Sequence, residues 1–385
     1  MLRKLFNPTK WNFVALAVVV IGIGVAAYRY IFGLGAVTNL SDDYPWGIWV
    51  AFDVMTGVAM AAGGFLIAGT VHIFNLKEYK PILRPAVLTA FLGYFLVIVG
   101  LLVDLGLPWR IYHPLIFGQA HSAMLEVALC VMAYFTVLFF EFIPVFLERM
   151  NWMRAYRTIH AVTVPLVIVG IMLSCLHQSS LGSLLLLAKE QLSPLWYSPS
   201  LPFNYFLQAV AMGLGMVIFE STWSARTLGR PVEDHLLNSV GKGLRNVLIL
   251  FTLWRLVDLT YHGAWPALNR SAYETFWFGV EWAVGVLIPI ILLSTPLRTK
   301  QTARFWIAAM VIFGVVLGRI NATLTGMSSY FGQIYFPSWQ ELAISAAIIA
   351  AGLLIFQAVV RTLPVFEEVE EPEIEAVPET SPVAA

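Results

Sequence analysis

Asp53, Asp104, Glu126, His177, Arg255, Asp258 and Arg319 each fall inside a long run of apolar residues, as do Arg29, His72, Glu141, His160, Glu220, Glu281 and Glu341. An ionisable group in hydrocarbon costs several kcal/mol, so each of these needs a partner or a task. Carboxylates and imidazoles can take up and deliver protons. A guanidinium can stabilise negative charge that develops on a bound oxygen. Together, in an apolar setting, these are the groups a quinone site needs: donors to two carbonyls, sources of two protons, and greasy walls.

Other redox chemistries find less support. A membrane cytochrome b holds its haems between paired imidazoles on facing helices. His72 and His160 share one side of the membrane and could in principle clamp one haem, but His160 and His177 stand seventeen residues apart, too far for the usual stacked arrangement. No haem is therefore expected. Cys130 and Cys175 are the two cysteines, where an iron–sulfur cluster wants four thiolates. Zinc and disulfide readings lack support as well, and there is no phosphate-binding loop or dinucleotide fingerprint between a strand and a helix. The pattern is that of a quinone site fed with electrons by a partner. Plainer readings stand beside it: Arg255 and Asp258, three apart on one helix, can simply pair; Ser122 can hydrogen-bond Glu126; and the Gly57 to Gly64 stretch reads as close helix packing.

The elements that must position these groups are transmembrane helices. Hydrophobic residues make up 59% of the chain and charged residues 12%, against about 25% charged in soluble domains. Apolar stretches long enough to cross a bilayer run over 11–33, 47–74, 84–107, 121–147, 158–177, 202–226, 243–262, 273–295, 304–324 and 339–361. The expected fold is an all-α integral membrane protein of about ten spans. A faint echo between Gly-Thr-Val-His72-Ile-Phe and Gly-Met-Val-Ile-Phe-Glu220 points to two four-helix bundles, spans 2–5 and 6–9, with two flanking helices. The first span has a basic start but no small-residue cleavage site, so it reads as retained. The segment from Gln178 to Leu187 is too short to span and is expected at the interface. Residues 1–10 form a short N-terminus, 11–364 the membrane domain, and 365–385 an acidic tail expected to be disordered, with seven Glu in the last 20 positions.

Counting Lys and Arg by side gives seventeen against three, the three being Arg110, Lys189 and Arg270. Positive charge accumulates in the cytoplasm, so both termini are expected there, in a bacterial inner membrane. The polar groups Arg29, Asp53, Asp104, Glu126, His177, Arg255, Asp258, Arg319 and Glu341 then gather beneath the outer surface. His72, Glu141, His160 and Glu220 lie in the inner half, and Glu281 nearer the middle.

Three motifs carry a resemblance. Pro45-Trp46-Gly47-Ile48-Trp49-Val50-Ala51-Phe52-Asp53 opens span 2, His177-Gln178-Ser179-Ser180-Leu181-Gly182-Ser183 follows span 5, and Tyr335-Phe336-Pro337-Ser338-Trp339-Gln340-Glu341-Leu342 opens span 10. Together they resemble the NrfD-like family of polysulfide reductase membrane subunits, in its ten-helix branch, which includes the "b-type cytochrome" subunit of hydrogenase-2-type nickel–iron hydrogenases. The likeness runs from about residue 30 to 364. It implies a quinone-reactive subunit, using menaquinone or ubiquinone and binding no haem despite the label. It also implies a ferredoxin-like iron–sulfur partner on the periplasmic face that wires the chain to a catalytic subunit, a nickel–iron hydrogenase by the nearest branch. No nucleic acid is implied, and lipid surrounds the chain. On the matching positions, Asp53 and His177 are the expected quinone-pocket residues, with Arg255, Asp258 and Arg319 completing the cavity. Glu126 is the expected proton carrier, and Glu141, Glu220, Glu281 and His72 extend a path inward. Competing expectations are the same role in a molybdopterin, sulfur-cycle or multihaem cytochrome complex, a secondary transporter, and a passive anchor.

Overall fold

A computed structural model describes residues 10–366. The N-terminal Arg3 and Lys4 and the seven tail glutamates lie outside the described residues. Every described element is helical, as lipid requires of an open chain whose backbone groups find no water to bond. The long helices are span 1 (Lys10–Phe32), span 2 (Trp49–His72), span 3 (Lys80–Asp104), span 4 (Ala123–Arg149), span 5 (Thr163–Leu185), span 6 (Leu201–Leu228), span 7 (Asp234–Tyr261), span 8 (Ala272–Ser294), span 9 (Gln301–Thr323) and span 10 (Trp339–Thr362). Nine of them are long and apolar enough to cross a membrane by length and composition. Span 7 is the tenth. Its 28 residues reach about 42 Å, its low apolarity comes from Asp234, Lys242, Arg245, Arg255 and Asp258, and it packs between spans 6 and 8.

The helices form two rings. Span 2 touches spans 3 and 5, and span 4 closes the circle between them; span 6 touches spans 7 and 9, and span 8 closes the second in the same order. Spans 1 and 10 pack on each other and lean on span 3. The rings are joined through span 6, which packs on spans 5 and 2; spans 2 and 6 approach at Gly63 and Gly213, where a Cβ on Gly213 would sit 2.6 Å from the Gly63 nitrogen. Gly57 and Gly64 admit Val97 and Ala90 of span 3 in the same way. The Gly/Ala stretch is therefore packing surface. Spans 8 and 9 cross closest, at Gly285 and Gly314, where a Cβ on Gly285 would lie 2.5 Å from the Gly314 Cα.

Three expectations change. Gln178 to Leu185 continue span 5 as regular helix instead of lying at the interface, because Gln178, Ser180, Leu181 and Leu184 are buried against neighbours. His160 is not in a span: it stands exposed on a short amphipathic helix, Met153–Ala161, between spans 4 and 5. The ordered body also runs past 364, since Val365 is buried against Leu88, Leu92 and Val145.

Gly314→Val is expected to lower the thermal midpoint of the detergent-solubilised protein by the equivalent of about 3 kcal/mol, the upper end of overpacking costs, because backbone cannot yield as a side chain can. Gly24→Ala, whose new methyl meets nothing within 4 Å, should leave the midpoint unchanged.

Candidate functional site

The face bearing Lys77, Arg84, Arg154 and Arg298 is here the basic face. On the opposite face, two loops clasp each other over the ends of spans 1, 2, 3 and 10. Ser338 caps span 10: its hydroxyl accepts from the Glu341 amide at 3.1 Å, and Glu341 Oε2 accepts from the Ser338 amide at 2.8 Å and from the Asn39 amide at 3.0 Å. The Tyr335 hydroxyl donates to Glu341 Oε1. Burial, and then the adjoining Glu341 carboxylate, push the Tyr335 phenol well above its ordinary range, so it keeps its proton and remains a donor. Tyr44, pushed up to about 12 by burial and then by neighbouring Tyr273, donates to the Gln333 carbonyl at 2.7 Å. Gly47 must lack a side chain, because a Cβ there would sit 2.8–2.9 Å from Leu40, Tyr335 and Glu341. Trp49, buried, donates its indole N–H to the Glu341 carbonyl at 3.1 Å. The first and third motifs are thus one structural unit.

Asp53 hangs from that unit. Trp49–Val54 is a turn of π-helix, a wide turn frequent at functional sites. It sets Asp53 into the seam between spans 2, 3 and 10, with its Cβ 3.2 Å from where a Gly100 Cβ would lie. Ser345 of span 10 donates to Asp53 Oδ2 at 2.6 Å. Asp104 adds negative charge nearby and is in turn offset by Arg29. Arg29 is buried, donates to the Leu105 carbonyl and lies over Tyr30. A buried carboxylate with one short hydrogen bond, a second acid and a guanidinium thus gather at the end of the helix bundle away from the basic face.

His177 belongs to a different place, the interior of the first ring. Its Nδ1 faces the Tyr94 hydroxyl at 2.7 Å, and Tyr94 stacks edge-on to Tyr134. His177 Nε2, Gln178 Oε1, Tyr134 Oη and Ser174 Oγ are buried without a protein partner, and such groups call for ordered water. Glu141 lies further toward the basic face, its Oε1 3.2 Å from where a Gly170 Cβ would sit.

The second ring holds the third group. Asp258 accepts from Ser198 at 2.5 Å, Ser200 at 2.7 Å and Asn204 at 3.2 Å, pairs with Arg255, and has His262 Nδ1 at 3.1 Å. Arg255 also donates to the Leu195 carbonyl at 2.7 Å. This pair is saturated, as a structural ion pair must be. Glu281, just before a second π turn at Ala283–Leu287, accepts from Trp196 and Asn321, each at 2.9 Å. Arg319 lies 3.3 Å from the centre of the Tyr205 ring and donates to the Tyr205 carbonyl. Its Nε and Nη1, with Asn204 Oδ1, Asn321 Oδ1 and Tyr205 Oη, lack protein partners. A cavity of about 20 Å³ between Asn204, Tyr205, Arg255 and Glu281 has room for one water.

The five residues expected to line one quinone pocket are therefore divided: Asp53 in the seam, His177 in the first ring, Arg255, Asp258 and Arg319 in the second. Glu126 stands half-buried on the first turn of span 4 near the opposite face. Glu220 is buried with one oxygen unpartnered, and His72 lines a cavity at the basic face. No group of three or more His, Cys, Asp or Glu that could hold a metal occurs among the described residues.

Residues 36–329 match the family model "Polysulphide reductase, NrfD". The chain belongs to the NrfD family. Similar proteins include a protein of Nitratidesulfovibrio vulgaris Hildenborough, 36% identical over 94% of this chain and 95% of the relative. The "Probable Ni/Fe-hydrogenase 2 b-type cytochrome subunit" of Escherichia coli K12 is 31% identical over 89% of each chain. The "Menaquinone reductase, integral membrane subunit" of N. vulgaris is 28% identical over 90% of this chain and 89% of the relative.

Four partners of this NrfD protein's buried groups have no signal in the sequence: Ser345 for Asp53, Tyr94 for His177, Asn321 for Glu281 and Tyr205 for Arg319. Each is a small polar or aromatic residue of ordinary kind, recognisable only when another helix is placed beside it. Glu274, buried and accepting from the Ser329 amide at 3.1 Å, is a further residue that sequence reasoning missed; three residues beyond Ser271, it has the spacing of a helix cap.

Glu341→Ala is expected to cost about 3 kcal/mol, since it leaves three donors, two of them half-buried, without their acceptor at once. It should also open residues 33–48 to limited proteolysis in detergent, while Glu341→Gln, which keeps an acceptor, should show a smaller loss by the same two measurements.

Proposed function

We propose that this chain is the quinone-reactive membrane subunit of a respiratory oxidoreductase, passing electrons between an iron–sulfur partner and the quinone pool. The observation that carries the reading is Asp53: a buried carboxylate on a π turn, held by Ser345 and flanked by Asp104 and Arg29. The printed names of two relatives, one a hydrogenase subunit and one a menaquinone reductase subunit, support a quinone-linked complex, with a nickel–iron hydrogenase as the catalytic partner we favour. The charge count supports a basic face turned to the cytoplasm of a bacterial inner membrane. The clasped loops then face the periplasm, where a ferredoxin-like iron–sulfur subunit would dock.

A bound quinone supplies two-electron, two-proton chemistry. Asp53 would hold and move a proton at its carboxylate, Ser345 would keep Oδ2 oriented, and Arg29 would offset the charge of the two acids. Protons would leave or enter by Glu126 at the rim. Tyr94, His177, Tyr134, Ser174 and Glu141 form an interior line through the first ring, and we propose it as the path inward, with His72 at its end. Glu281 and Glu220 would serve the same purpose in the second ring, where Arg255 and Asp258 act as structure and Arg319 keeps free N–H groups for a ligand or water. Menaquinone or ubiquinone would fit this reading equally. Haem fits less well: His72 and His160 share a cavity, but His160 stands exposed on a short helix and stacks on Tyr156.

In the purified complex, Asp53→Asn is expected to lower quinone-coupled turnover about 100-fold, the scale of a lost proton-transfer group, with electron transfer to a soluble dye acceptor at the catalytic subunit intact. Unchanged quinone-coupled turnover would remove Asp53 from the site. The visible spectrum of the purified chain should lack a Soret band.

A further inference from the structure

The cavity lined by His72 takes no part in the outer cluster. It measures about 250 Å³ and opens at the basic face of the first ring. Its rim holds Lys80, Tyr156 and His160, and its walls are apolar, among them Leu83, Phe140 and Val167. Its shape and chemistry run from cationic donors at headgroup depth to hydrocarbon walls deeper in.

The surroundings strengthen that gradient. Tyr156 and His160 sit one turn apart on Met153–Ala161, their rings parallel at 5.6 Å. That helix turns Arg154 and Arg157 to solvent, while Trp152 and Met153 stay exposed beside it, the pattern of a helix lying in a membrane interface. Lys77, just before span 3, and Arg149, in the last turn of span 4, add positive charge at the same face without lining the cavity. The opposing acids are Glu78; Glu148, which Arg84 engages at 3.0 Å; and Glu141, which lies on the floor against span 5. His72, also deep, and Arg84 complete the ionisable lining. Basic pockets between helices at this depth hold phospholipid headgroups.

We propose that this cavity binds the phosphate group of an anionic phospholipid, with Lys80, Tyr156 and His160 donating to the phosphate oxygens and the apolar walls taking the start of an acyl chain. The site is separate from the Asp53 cluster at the other face; it shares His72 and Glu141 with the proposed proton path but none of its phosphate donors, so lipid retention is read independently of quinone-coupled turnover.

The test uses native mass spectrometry of the full chain released from nanodiscs of mixed phosphatidylglycerol and phosphatidylcholine. The wild-type chain should retain phosphatidylglycerol preferentially. Lys80→Gln should cut that preference about fivefold, the share of one cation at an anionic surface, while Lys189→Gln on the opposite face should not. Tyr156→Phe, a milder change, should weaken retention with helix content unaltered and carries the test should Lys80→Gln not fold. Displacement of the lipid by millimolar inorganic phosphate would assign the same donors to free phosphate and overturn the lipid assignment; no displacement assigns them to the lipid. Equal retention of the two lipids by wild type, an unaltered preference in folded variants, or a Soret band that disappears in His72→Ala would overturn the proposal.

Discussion

No water reaches the hydrocarbon core to accept a stray hydrogen bond, and nearly every feature of this chain stems from that constraint. It makes each long segment helical, because only a helix satisfies its backbone from within. It also governs side chains: Asp258 gathers three neutral donors and a guanidinium, and Arg304, with no exposed surface, is met by Asp234 at the basic face. Where a buried group is left short, as with His177 Nε2 or Arg319 Nε, the shortfall marks a place for water or ligand. Polar completeness and polar deficit together separate saturated charges from those with room for a further partner.

By that standard Arg255 and Asp258 are saturated, although their types and spacing suit a ligand cavity equally well. The plain alternative, an ion pair three residues apart on one helix, is the one their geometry satisfies. Asp53 differs: Ser345 supplies one hydrogen bond, and among the described residues no cation pairs with the carboxylate directly.

The fold is legible in the sequence because its determinants are local. Length, apolarity and the alternation of Lys and Arg are properties of single segments, and even the charged span 7 can be placed, since omitting it scrambles the alternation. The outer end of span 5 is harder to read because Gln178, Ser179, Ser180 and Gly182 look like a break, while their burial against spans 2 and 6 keeps the helix going. The site is legible residue by residue but not as a whole. Asp53, His177 and Arg319 all lie in the half of the bundle away from the basic face, and depth can be read from the chain. Which ring each side chain enters depends on helix rotation, and low amphipathicity in an apolar helix leaves that rotation unwritten. Ser345 and Tyr94 are invisible for the same reason.

Two π turns show how such rotation is adjusted. Each adds a residue to one helical turn, rotating its flanking segments against each other by a fraction of a turn. In span 8 the wide turn comes just after Glu281 and brings Gly285 flat against Gly314. In span 2 it contains Asp53 itself, and it begins at Trp49, whose indole is tied to the carbonyl of Glu341. Glu341 in turn holds the loops at 33–48 and 332–338 together. Any displacement of those loops, by a docking partner or by loss of a hydrogen bond, must therefore act on Trp49 and, one turn later, on Asp53. The surface that a partner would touch and the carboxylate that would handle protons are thus connected through Glu341 and Trp49, with Trp49 and Asp53 four residues apart.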